Sequence, residues 1–162
     1  MKIFKSVPKL FSKQESTAIC IILAVLIVIS LFNFRIALRR QRDNERVNDL
    51  GDIAKALDQY KEKFALYPTN LDDLTAVMKV VPKDPGTPKG YSYLYFTDGR
   101  YFQIYASLEG GADESQYSPV IEKRNLKCGN FVCSYGKASG SVPLDKTIQE
   151  YENELEAKNE KK

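Results

Sequence analysis

RVNDLGDIAKALDQYKEKFALYP, residues 46 to 68, decides the reading of this 162-residue chain. Val47, Leu50, Ile53, Ala54, Leu57 and Phe64 recur at helical spacing and form one apolar face. Arg46, Asp49, Asp52, Lys55 and Asp58 are assigned to the polar remainder, so the stretch predicts an amphipathic helix. Its end is set by Pro68, which disfavours the helical conformation at Tyr67.

Working backward, residues 35 to 64 hold no proline and a single glycine, Gly51, so nothing stops this helix from reaching AICIILAVLIVISLFNF at 18 to 34. Those 17 residues carry no charge, and at 1.5 Å per residue they span roughly 25 Å. A run this apolar on every side requires lipid or a large protein around it, and its length suits a membrane span. Lys13 and Arg35 flank it and can send their charged ends to the interface. A signal peptide has a shorter apolar core; here FRIALRRQRDNER follows as a stop-transfer pattern, with no small-residue cleavage site. Four lysines precede the span and five arginines follow it, so the positive-inside rule leaves the orientation open.

Working forward, Asn70 is placed to cap a short helix over LDDLTAVM, with Asp72 and Asp73 at its positive end. VPKDPGTPKG then reads as a turn-rich loop. YSYLYF (91–96) and YFQIYASL (101–108) flank Asp98-Gly99, a strong hairpin signal, although aromatics on both faces of the first run leave its core side open. Residues 109 to 143 read as loop with one short strand at 131 to 135. The last stretch, DKTIQEYENELEAKNEKK, has the composition of a solvated helix with a thin stripe of Ile148, Tyr151 and Leu155.

Composition excludes several functions. There is no histidine, which removes the commonest general base and metal ligand. Net charge is +3 with 24 basic and 21 acidic residues well mixed, too weak a field to imply nucleic acid. No residue set for catalysis is visible, and the chain is expected to be neither an enzyme nor a cofactor or metal binder. Cys128 and Cys133 enclose Gly-Asn-Phe-Val, a spacing that permits a disulfide or two free thiols. A disulfide would place that end outside the cytoplasm.

An apolar span running into a long amphipathic helix, followed by a tyrosine-rich hairpin, resembles the type IV pilin-like family, most nearly the pseudopilin G subgroup of type II secretion systems. The match rests on residues 46 to 68, LDDL (71–74), VPKDP (81–85), Y-S-Y, D-G-R-Y and A-S-LEG, and covers roughly 33 to 113. It implies an α+β pilin-like fold, with the long N-terminal helix packed on a small antiparallel sheet. The implied layout is a cytoplasmic basic leader and helix start at 1–16, a transmembrane helix at 17–38, an extracytoplasmic pilin-like domain at 39–145 and a charged, mobile tail at 146–162.

Counting back from Asn33, the resemblance sets Glu15 at the family's assembly glutamate and Leu10-Phe11 at its leader processing junction. Leu10 stands where the family has glycine, and Phe32 where it often has proline. Glu15 then has two readings. Ser12-Lys13-Gln14-Glu15 fits an S-x-x-E capping box, while in the family the glutamate meets the terminal amine of a neighbouring subunit. The stem face Val47, Leu50, Ile53, Leu57 and Phe64 is the expected packing surface. Implied partners are the lipid bilayer of the cytoplasmic membrane, other pilin-like subunits and a prepilin peptidase. LEGGADES (108–115) lies where pseudopilin G relatives bind calcium, with Asp113 and Glu114 as hard oxygen donors, or it is an ordinary solvated loop. The implied function is a structural subunit of a pilus or pseudopilus that supports secretion, uptake or motility; the alternative is an unassembled, membrane-anchored binding module.

Overall fold

A computed structural model describes residues 13–111 and 115–160. The chain is α+β and falls into two compact units, Met1–Leu38 and Arg39–Lys162. Helix α1 (Lys13–Phe64) is one element of 52 residues.

In the first unit the large apolar side chains of the helix are uncovered. Ile21, Leu23, Val28 and Phe32 are all more than half exposed. This is the one helix among the described residues long and apolar enough to cross a membrane.

The second unit is built around β2 (Phe102–Ala106), whose five residues are all buried. β1 (Leu94–Thr97) pairs with it antiparallel on one side and β5 (Tyr135–Ala138) on the other. Side chains alternate across a strand, so β2 has two core faces. Phe102, Ile104 and Ala106 meet Leu50, Ile53 and Leu57 of α1 together with Tyr67 and Leu74, while Tyr105 meets Ile121, Cys128 and Cys133. The ambiguous β1 is settled in the same way: Tyr93 and Tyr95 pack on the α1 side and Leu94 on the other.

The hairpin forms where Asp98-Gly99 predicts it. The Asp98 carboxylate accepts the N–H groups of Arg100 and Tyr101 at 2.8 and 2.7 Å, and Gly99 takes φ 86°. β1 starts at Leu94 rather than Tyr91 because Tyr91 instead forms an isolated bridge with Gly129. α1 ends with Ala65 at φ 68°, its N–H donating to the Lys61 carbonyl, a left-handed stop placed just before Pro68. The short helix capped by Asn70 is a 3-10 turn over Leu71–Ala76.

Two expectations need correction. Residues 109 to 143 are richer in structure than expected, with α2 (Pro119–Lys123), β3 (Lys127–Cys128) and β4 (Phe131–Val132) as well as β5. The strand expected over 131–135 is split between β4 and β5, because Cys133 and Ser134 turn inward: the Ser134 N–H bonds Ala106 and its hydroxyl accepts the Leu108 N–H. The helix expected in the last stretch is α3 (Ile148–Asn159), started by a Thr147–Glu150 capping box. That helix docks through buried Ile148, through Tyr151 set edge-on to Tyr101 and through an Arg100–Glu152 ion pair.

Candidate functional site

Two features of the chain demand a partner or a purpose: the bare apolar helix, and an ionic cluster centred on Arg46. Arg46 is fully buried. Its Nε donates to both oxygens of Asp84 at 3.0 and 3.2 Å, Nη1 to Asp43 at 2.6 Å, and Nη2 to Asp84 at 3.0 Å and Glu109 at 3.1 Å. The ring of Tyr91 lies 4.5 Å from the guanidinium carbon.

Two of the three carboxylates are also held by backbone. Asp43 accepts the N–H groups of Glu109 and Gly110 at 2.9 and 2.8 Å, and Asp84 accepts that of Gly86 at 2.7 Å. Arg42 closes the network with two bonds to Glu109, and the exposed Lys89 ammonium lies 3.9 Å from the same carboxylate. α1, the VPKDP loop and the LEG loop thus meet at one guanidinium, whose planar fork serves three carboxylates as an ammonium could not. Gly86 is required there, since a Cβ would stand 2.6 Å from Arg46 Nη2 and 2.7 Å from the Tyr91 ring.

Electrostatics follow from this arrangement. The hydrogen bonds from Arg42, with those from Arg46, hold the Glu109 carboxyl down at about 2 against the opposing effect of burial. Burial alone would lower the Arg46 pKa, but its bonds to Asp84, Glu109 and Asp43 outweigh that and raise it. Farther along the stem, tyrosine hydroxyls pin neighbouring elements to one another: Tyr93 donates to Asp49 at 2.6 Å, Tyr67 to Asp58 at 2.9 Å and Tyr95 to the Pro68 carbonyl at 2.8 Å. Burial pushes Tyr95 up to about 12.

Of the residues singled out in the sequence, Leu50, Ile53 and Leu57 are fully buried against the sheet and Val47 is half-buried. Phe64 departs from that face. It is 46 % exposed with its ring 4.4 Å from Tyr60, because the chain turns away at Ala65 before the sheet can cover it. Arg46 was assigned to the polar face and is instead at the centre of the buried cluster. The signal for it was present, since 46, 50, 53 and 57 follow the i, i+4, i+7, i+11 spacing of one helix face.

Cys128 and Cys133 form a disulfide, with Cα atoms 5.2 Å apart, and both are buried. Glu15 lies in the first turn of α1. Leu10, Phe11, Ser12, Asp113 and Glu114 lie outside the described residues, and so do the full capping box and the proposed calcium donors. Among the described residues no group of three or more acidic or cysteine side chains is arranged to hold a metal, and the acids that converge at Arg46 have a guanidinium in their midst. No family model, curated protein or solved structure matches the chain.

Proposed function

We propose that the chain is a pilin-like structural subunit of a type IV pilus or type II secretion pseudopilus, anchored in the cytoplasmic membrane and assembled through α1. The observation that carries this reading is α1 itself. One part of the helix is apolar and uncovered among the described residues, while another part, in the second unit, supplies Leu50, Ile53 and Leu57 to the core of a small antiparallel sheet. An uncovered apolar helix is stable only in lipid or against like helices, and a filament of such stems provides both in turn. The family resemblance over residues 33 to 113 supports the same reading. The Cys128–Cys133 disulfide favours a domain outside the cytoplasm, with the N-terminus inside.

A second reading is favoured by Leu10, which stands in place of the family's cleavage glycine: an anchor that keeps its leader and presents the domain as a binding module. A photo-reactive side chain at Leu26, which is 53 % exposed, tests assembly in the native cell. The subunit reading expects a ladder of adducts to copies or to other pilin-like chains. Adducts to lipid alone, on a chain that retains Met1, support the anchor instead.

A further inference from the structure

Tyr91 connects the Arg46 cluster to the surface. The Phe131 ring stacks on it with centroids 3.8 Å apart and planes 12° apart, and Phe131 is itself 37 % exposed. With one face of Tyr91 covered so closely, the other is left to the Arg46 guanidinium. Phe131 belongs to the β3–β4 hairpin, which pairs only Lys127 with Val132 and Cys128 with Phe131. Two residues per strand make a marginal hairpin by themselves, so the covalent bond between Cys128 and Cys133 fixes its shape. The hairpin lies flush on the loop that carries Gly86. The Asn130 N–H donates to the Gly90 carbonyl at 2.8 Å, Tyr91 bridges to Gly129, and a Cβ on Gly129 would stand 2.0 Å from that same carbonyl oxygen.

We propose that the Cys128–Cys133 hairpin is a lid set by oxidation, and that forming its disulfide seats Phe131 on Tyr91 and thereby closes the Arg46 cluster. The step transfers two electrons and two protons from the two thiols to a disulfide-bearing oxidant, which leaves as two thiols. The ionic junction of α1 with the 84–91 and 109–110 loops is therefore completed only in an oxidising compartment. This inference goes beyond the subunit reading and stands without it, because its test concerns the isolated chain.

The test is amide hydrogen exchange on the full chain in detergent, comparing the oxidised protein with Cys128→Ser/Cys133→Ser and with Phe131→Ala. Loss of one aromatic stack and of the cover on a cation–π contact is expected to speed exchange about tenfold at Gly86, whose N–H is held by Asp84, and at Asn130, while the β2 amides stay unchanged. Phe131→Ala keeps the disulfide and should reproduce the effect at Gly86. A double variant that unfolds throughout would show the disulfide to hold the whole unit rather than a lid, and would overturn the proposal. Gly86 exchange equal to wild type in Phe131→Ala, or faster exchange confined to the hairpin in the double variant, overturns the lid.

Discussion

Replacing Arg46 with alanine should be the most damaging single change in the second unit. The side chain is fully buried and makes five hydrogen bonds to Asp43, Asp84 and Glu109. Its removal strands two carboxylates that are themselves only 2 % and 4 % exposed, Asp43 and Asp84. Removing one partner from a buried ionic group costs about 3–5 kcal/mol, far more than the pair is worth relative to apolar packing, because the charge left behind has neither water nor a counterion. For a domain of this size that corresponds to a fall in Tm on the order of 10 °C or more. Tyrosine fluorescence or near-UV circular dichroism during heating, on the full chain in detergent, reads the loss. Arg46→Lys keeps the charge but not the fork, so it should fall between wild type and alanine. Lys55→Ala is the control: its pair with Asp52 is 76 % and 64 % exposed and should not register. A loss below about 1 kcal/mol for Arg46→Ala would mean that Asp43 and Asp84 are hydrated and that the cluster is not the junction described.

Other consequences follow from the same geometry. Glu109 is depressed from about 4.5 to about 2, so its share of stability, on the order of 3 kcal/mol, is complete above about pH 4.5 and lost as pH falls toward 2; acid titration of unfolding should show this, and Glu109→Gln should flatten that window. Leu57→Ala should cost about 2–5 kcal/mol in thermal unfolding, and Phe64→Ala less than half as much, since only Leu57 is sealed against β2. Gly136→Ala forces a Cβ to 2.7 Å from the Tyr105 ring and 2.9 Å from the Ile104 carbonyl, and should destabilise by about 1–3 kcal/mol in the same assay.

How far the sequence could be read depended on whether a feature is local. The stripe Leu50, Ile53, Leu57 and the Asp98-Gly99 turn are written in spacing alone, and both stand in the structure. The Arg46 cluster is mostly not local: Asp43 is three residues away, but Asp84 and Glu109 lie 38 and 63 residues along the chain, and a charged residue reads as solvated until those partners are seen. The position of Arg46 on the apolar face was the available clue, and its charge obscured it. α3 is legible as a helix from its composition and its stripe, while the T-x-x-E signal at Thr147 and Glu150 that fixes its start goes unread among so many glutamates and lysines. β3, β4 and β5 are two to four residues each and hold together through a disulfide and through β2, so the residues from 131 to 135 read as a single strand and β3 is not announced at all.

The proposed function turns on the second unit folding outside the cytoplasm. Intact mass of the chain taken from its native cell, acid-quenched and alkylated without prior reduction, tests it directly, because the sequence holds three cysteines. The account predicts a single alkyl group, on Cys20, with Cys128 and Cys133 already joined. Three alkyl groups would place the domain in a reducing compartment and contradict it.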